Sequence, residues 1–176
     1  MRKIFVFILL SFLISFDVNA FTLSQSVNSD HRDEKNMLRD RYRNPLETLN
    51  FFRVEPSMTI VELSPGRGWY TEILAKYMFE NGRYIAVPYN PNLGGYAERL
   101  WDNYSSLLQS NEIYSKIEIS YLFDKMAEDE SVDAVLTFRN VHNWINDGAK
   151  NAKIIFEQTY NVLRSGGFFG VVEHRA

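Results

Sequence analysis

Polar side chains that could take part in chemistry are concentrated in one short run, Arg139 to Trp144, directly after an apolar segment. Burying so many polar groups together would be costly unless each found a hydrogen-bond partner. His142 could act as a general base, since the pKa of histidine lies near neutrality. Arg139 could bind an acidic substrate through its guanidinium group. We therefore predict that His142 and Arg139 are catalytic, and a structural role for each stays open as the alternative.

A second candidate site is the glycine-containing loop Ser64 to Gly68, which follows the apolar run Met58 to Leu63. Glycine can adopt a positive φ and lets a ligand lie against the backbone, and a following helix offers free N–H groups. The loop lacks the Lys-Ser/Thr pair of a phosphate-binding P-loop, and Thr71 stands where a dinucleotide-binding loop needs a third Gly or Ala. Glu62 would repel a pyrophosphate but suits the ammonium and sulfonium groups of S-adenosylmethionine. The loop therefore favours that methyl donor over a dinucleotide.

Strand and helix signals alternate around these two sites, which predicts an α/β fold with a mostly parallel sheet and helices on both faces. The predicted strands are Met58–Leu63, Tyr84–Val87, Lys116–Ser120, Val132–Phe138 and Phe168–Val172. The predicted helices between them are Tyr70–Met78, Ala97–Leu108 and Ala152–Leu163. Sheets of this kind bind ligands at the carboxyl ends of their strands, so both candidate sites should lie at one edge of the sheet.

The chain before the sheet divides into two predicted parts. Residues 1–20 have the layout of a secretory signal peptide, with Arg2 and Lys3 before a short apolar run and a cleavage position after Ala20. This predicts a periplasmic or secreted protein with no stable membrane anchor after cleavage, because the run is too short to span a bilayer. In residues 21–57 we expect a loose leader up to Ser29, a solvated charged helix over 30–43, and a short amphipathic helix before the first strand.

Composition excludes several function classes. The formal net charge is −3, and no basic stripe follows the first three residues, so we expect no nucleic-acid partner. The sequence has no cysteine, which excludes disulfides and thiolate nucleophiles. Glu173 and His174 could form a metal-ligand pair, but adjacent residues on a strand point to opposite faces. We therefore predict no metal site.

Three motifs resemble class I S-adenosylmethionine-dependent methyltransferases: Glu62 to Glu72, Val132 to Val135, and Leu163 to Gly167. Further segments extend the resemblance to a family of exported bacterial predicted methyltransferases: Tyr42-Arg43-Asn44-Pro45, Phe138 to Trp144, and Val172 to Ala176. The resemblance implies a Rossmann-like fold, S-adenosylmethionine as cofactor and a small-molecule methyl acceptor. The residues expected to bind the cofactor are Glu62, Ser64, Gly66, Gly68, Asn90 and Asn140.

The sequence also departs from the pattern that it resembles. Ser64 stands where glycine is common, and Pro88 occupies the place of the acid that usually holds the cofactor ribose, for which Asn90 is a substitute candidate. The fold normally continues beyond a fifth strand, so we expect the methyltransferase domain, residues 58–176, to be incomplete at its C-terminus and the chain to be inactive. A non-catalytic small-molecule-binding protein on the same scaffold is the alternative function.

Overall fold

Five parallel strands form the centre of the computed structural model, which describes residues 20–174. The strands are β1 (Thr59–Leu63), β2 (Arg83–Val87), β3 (Glu118–Ile119), β4 (Val132–Phe138) and β5 (Leu163–Val172). Their order in the sheet is β3-β2-β1-β4-β5. Strands β2 and β3 are added on one side of β1, and β4 and β5 on the other, so the strand order reverses between β1 and β4. The predicted signal peptide lies outside the described residues, apart from Ala20.

Helices connect the strands and also precede them. They are α1 (Leu23–Val27), α2 (Glu34–Met37), α3 (Asp40–Arg43), α4 (Pro45–Phe51), α5 (Thr71–Met78), α6 (Gly95–Ser110), α7 (Val141–Asn146) and α8 (Ala149–Val162), with short 3-10 helices at Pro91–Leu93 and Glu112–Tyr114. Within residues 20–174, no helix is long and apolar enough to cross a membrane.

Side chains of the sheet alternate between two apolar clusters, one on each face. Ile60 of β1 packs with residues of α5 and α6 on one face, whereas Val61 and Leu63 pack with residues of α7 and α8 on the other. Because the side-chain period of a strand is two, Glu62 must share the face of Ile60. Helices therefore cover both faces of a parallel sheet, and the predicted α/β architecture is confirmed.

The last strand begins earlier than predicted. We expected α8 to extend to Leu163 and a turn to follow, but α8 ends at Val162 and Leu163 already pairs with Val132 of β4. The ladder is irregular between Val132 and Ala134, and Gly166 has a φ of +82°. The expected turn is thus an irregular, extended start to β5, because the chain gains strand pairing as soon as the helix ends.

The N-terminal segment is more ordered and more buried than predicted. In place of a loose leader, Thr22 and Gln25 form a capping box at the start of α1, and Leu23 and Val27 are buried. In place of a solvated charged helix, the chain forms the short helices α2 and α3, and Arg32 is only 3% exposed. Arg32 forms ion pairs with Asp40 and Glu72, which helical periodicity does not reveal.

Candidate functional site

A large cavity of about 1010 Å³ lies at the carboxyl ends of β1 and β4. A smaller cavity of about 260 Å³ adjoins it and extends to the end of β2. Six residues line both cavities: Ser64, Gly66, Tyr96, Leu100, Asn140 and Asn143. The combined space lies where the strand order reverses, as expected for ligand sites in open parallel sheets.

The loop after β1 presents one open glycine and one strained serine to this space. Gly66 has a φ of +64°, and a Cβ at this position would meet nothing within 4 Å. Ser64 has a φ of +52°, and its backbone N–H donates to the carbonyl oxygen of Val87 at 2.9 Å. Its hydroxyl is buried and has no hydrogen-bond partner among residues 20–174. A backbone open to a ligand and an unpaired buried hydroxyl both suit the binding of a polar small molecule.

Gly68 serves the packing of a helix and lines neither cavity. Its φ is +86°, and a Cβ there would collide with the side chain of Leu107 and lie 3.2 Å from Cε2 of Tyr104. Both residues belong to α6. The close approach that requires glycine at this position is therefore an approach of protein to protein.

Glu62 lies below the loop in a buried polar network. Its exposed fraction is 2%, and its Oε2 accepts hydrogen bonds from Tyr84 and, at 3.1 Å, from Thr71. The hydroxyl of Tyr104 lies 3.2 Å from that of Thr71. Burial raises the pKa of Glu62 to about 7, against the lowering effect of the hydrogen bonds from Tyr84 and Thr71. Glu62 thus braces β1 against β2 and α5 and does not line either cavity.

Asn140 connects the loops that follow β1 and β4 through side-chain hydrogen bonds. Its Nδ2 lies 3.1 Å from the carbonyl oxygen of Ser64, 3.3 Å from that of Leu63 and 3.0 Å from Oγ1 of Thr137. Because Asn140 also lines both cavities, it positions the loop at the place where a ligand would lie.

At the end of β2, the predicted Asn90 is not among the residues that line the smaller cavity. Pro88 and Tyr89 line it, while Asn90 follows them and accepts a hydrogen bond from the N–H of Asn92 at the start of a 3-10 helix. Asp147, at the end of α7, also lines this cavity and is the acid among its lining residues. Sequence reasoning missed Asp147, because it lies beyond the polar run that follows β4.

The two predicted catalytic residues both line the large cavity. Nδ1 of His142 lies 2.8 Å from Oε2 of Glu173, and Nε of Arg139 donates to Nε2 of His174 at 3.1 Å. Arg139 has a φ of +66°, and its N–H donates to the carbonyl oxygen of Val172 at 2.7 Å, which ties β4 to β5. Partial burial opposes ionisation of Glu173, but hydrogen bonds from His142 and from backbone N–H groups outweigh it and lower the pKa of this carboxyl.

Glu173 and His174 lie beyond the end of a strand and are not kept on opposite faces, contrary to the prediction from the sequence. Strand β5 ends at Val172, so the two residues no longer alternate, and their ligand atoms lie with that of His142 within 4.8 Å of one another. Two imidazoles and a carboxylate are suitable ligands for a transition metal. The guanidinium of Arg139 already donates to one of those imidazoles, however, and a cation in this position opposes the binding of another.

Comparison with known proteins identifies the fold. No protein-family model matches the sequence, and no curated protein is significantly similar to it. Among solved structures, a SAM-dependent methyltransferase from Aquifex aeolicus superposes with a TM-score of 0.62 at 18% identity, over 86% of this chain and 72% of that one. The chain has the Rossmann-like fold of class I methyltransferases.

Two further structures agree with this fold. A putative S-adenosyl-L-methionine-dependent methyltransferase from Methanococcus maripaludis matches at 17% identity and a TM-score of 0.54, over 78% of this chain and 60% of that one. Geranyl diphosphate C-methyltransferase from Streptomyces coelicolor was solved with S-adenosyl-L-homocysteine. It matches at 13% identity and a TM-score of 0.51, over 82% of this chain and 52% of that one. The chain thus spans between about half and three quarters of the lengths of these three proteins.

Proposed function

We propose that this protein is an S-adenosylmethionine-dependent methyltransferase acting on a small molecule. The observation that carries the proposal is the loop Ser64–Gly66, which lines both cavities at the point where the strand order reverses and whose glycine has a positive φ and open space at its Cβ position. Similar folds belong to methyltransferases that use this cofactor. The cofactor would supply a methyl group on a sulfonium, and the protein's main task would be to align the acceptor with it.

The two cavities suggest how the cofactor is divided between them. We infer that the adenosine part occupies the smaller cavity, beside Tyr89, and that the methionine part lies against Ser64 and Gly66. No acid follows β2, so Asp147 is the carboxylate available to bind the ribose hydroxyls. The large cavity then leaves room for the acceptor next to His142, with Nδ1 of that imidazole bonded to Glu173.

Calorimetric titration with S-adenosylmethionine and S-adenosylhomocysteine tests this function directly. We expect saturable binding of both by the wild type and a loss of at least tenfold in affinity for Gly66→Val, whose side chain would enter the cavity. Gly166→Val is the matched control, because Gly166 also has a positive φ and open space but lies in β5 near the start of β4. Absence of binding by the wild type would contradict the proposal. Binding without methyl transfer to any acceptor would favour the non-catalytic alternative.

We also propose that the chain is exported and cleaved after Ala20. Cleavage there would leave the capping box of α1 intact, since Thr22 and Gln25 both lie downstream. Phe21 would become the first residue, and its ring already lies 4.8 Å from Nζ of Lys76. N-terminal sequencing of the protein recovered from the periplasm should begin at Phe21. Recovery of the chain only from the cytoplasm, with Met1 retained, would contradict this.

A further inference from the structure

The large cavity carries a strong excess of positive charge. Five of its basic side chains have no carboxylate within 4.0 Å among residues 20–174: Lys35, Arg39, Arg43, Arg67 and Arg139. Unpaired cations are therefore concentrated around the large cavity, although the net charge of the protein is −3. Clefts lined by one sign of charge concentrate ligands of the opposite sign.

The acidic groups on the same wall are already engaged. Oε1 of Glu72 accepts a hydrogen bond from Asn36 at 2.7 Å, and its Oε2 lies 3.4 Å from Nε of Arg32. Oδ1 of Asp33 accepts from the N–H of Lys35 at 2.7 Å, which caps α2. These carboxylates stabilise the N-terminal segment and do not neutralise the five cations.

Three of the arginines converge from two separate parts of the chain. Arg39 and Arg43 lie one helical turn apart at α3, and Arg139 follows β4; all three line both the large cavity and a neighbouring one of about 360 Å³. Burial, and then repulsion from Arg39 and Arg139, lower the pKa of Arg43. Glu173 also lines the neighbouring cavity, but its carboxylate is bonded to the N–H of Val141 and to His142, so the three arginines repel one another unless an anion joins them.

Arg43 supplies an independent sign that a ligand belongs here. Its Nε is buried and has no hydrogen-bond partner among the described residues. Its guanidinium carbon lies 4.6 Å from the ring centroid of Trp69, so the indole fixes one face of the guanidinium. A guanidinium that is held in this way, with a free N–H, is prepared for a bidentate contact with a carboxylate or phosphate.

We propose that Arg39, Arg43 and Arg139 bind the dianionic group of a small-molecule methyl acceptor, such as a phosphate monoester or a dicarboxylate. This assignment of the substrate class rests on the proposed function. S-adenosylmethionine has a single carboxylate and carries two positive charges of its own, so it cannot balance three arginines. An acceptor held at its acidic end by Arg139 would lie beside His142, which lines the same cavity.

The test uses the purified protein in the form that the expressing cell produces. All titrations are made at the same ionic strength. Inorganic phosphate and malonate are the dianionic probes and acetate is the monoanionic control, each titrated by calorimetry with and without saturating S-adenosylhomocysteine. We expect saturable binding of phosphate or malonate at least tenfold tighter than that of acetate, and the preferred probe distinguishes the two acid types. Arg43→Gln and Arg39→Gln should weaken that binding at least tenfold, while Arg41→Gln, on the same helix but outside the cavity lining, should leave it unchanged.

Each result decides the proposal separately from the proposed function. Equal binding of the three anions, or equal losses in the Arg41 and Arg43 variants, would overturn it. So would a loss confined to S-adenosylhomocysteine affinity, because the arginines would then hold the cofactor's carboxylate. Dianion binding by a protein that binds no cofactor would refute the methyltransferase function and leave the anion site standing.

Discussion

His142 and Glu173 form a hydrogen-bonded pair across the ends of two strands, with Nδ1 of the imidazole 2.8 Å from Oε2 of the carboxylate. A carboxylate at Nδ1 favours the tautomer that carries its proton on that nitrogen and leaves Nε2 free to accept one. The pair therefore has the arrangement of a general base and the residue that orients it.

Substitutions in this pair should affect turnover more than stability. We expect His142→Ala to reduce methyl transfer by about 10²-fold or more, in the range typical of a lost general base. Glu173→Gln should reduce it less and shift the imidazole toward the other tautomer, as seen by ¹⁵N NMR of the ring. S-adenosylhomocysteine formation and the melting temperature should be measured on the same samples. A variant that melts earlier but keeps its specific activity would assign the pair a structural role.

The hydroxyl and the backbone of Ser64 should have separable effects. Ser64→Gly relieves the left-handed conformation and should stabilise the fold by about 0.5–1 kcal/mol. Ser64→Ala keeps the strain and removes only the hydroxyl, so it should not gain this stability. If the hydroxyl binds the cofactor, both variants should lose affinity in calorimetry. Unchanged affinity in both would remove Ser64 from the cofactor site.

The stability of the protein should depend on pH through Glu62. Burial raises its pKa to about 7 in the folded state, against an ordinary value of 4.5, so the folded protein binds the extra proton. This contribution is fully present below about pH 4.5 and is lost as pH rises through 7. Over this window the wild type should lose up to about 3 kcal/mol of unfolding free energy through Glu62. The Glu62→Gln variant should not show this loss. Urea unfolding at several pH values checks this, with the exposed Glu157→Gln as control. An unchanged slope would contradict the buried network.

Much of the fold could be predicted from the sequence because its signals are local. Strand β4 was predicted at its observed bounds, Val132–Phe138, since most of its residues are apolar and it is buried on both faces. The pattern failed for β5, where pairing with β4 begins at Leu163 although the residues after it read as a turn. It also failed for Arg32, because charged residues read as solvated until their distant partners are known.

The candidate site was only partly predictable for the same reason. The pattern placed Gly66, Ser64, Arg139, His142 and Asn140 at one edge of the sheet, where the structure brings them together. It could not distinguish Gly66 from Gly68, since the contact of Gly68 with α6 depends on residues about 40 positions away in sequence. Asp147 and the pairing of His142 with Glu173 depend equally on distant segments.

The buried Arg32 should be essential to the N-terminal segment. Its Nη1 lies 2.7 Å from Oδ2 of Asp40, and its Nε lies 3.4 Å from Oε2 of Glu72. Arg32→Ala would leave two carboxylates without their cation and should cost about 3 kcal/mol or more of unfolding free energy. Chemical denaturation measures the loss, and Arg41→Ala on the exposed side of α3 is the control. Similar losses in both variants would show that the effect is one of net charge.

The outer edge of β5 should make the isolated chain associate. This strand is last in the sheet order, so within residues 20–174 its backbone pairs with β4 alone. The carbonyl oxygen of Val172 accepts from Arg139 on the β4 side, so the N–H and carbonyl groups of Val171 point away from the sheet. Val171 is also 39% exposed, and an apolar strand edge of this kind favours pairing with another chain.

We expect the purified protein to elute as a dimer or larger species in size-exclusion chromatography with light scattering. Val171→Lys should shift it toward the monomer, whereas Leu38→Lys, at another exposed apolar position, should not. A wild-type monomer at about 100 μM, within the μM–mM range in which unpaired strand edges associate, would contradict the prediction.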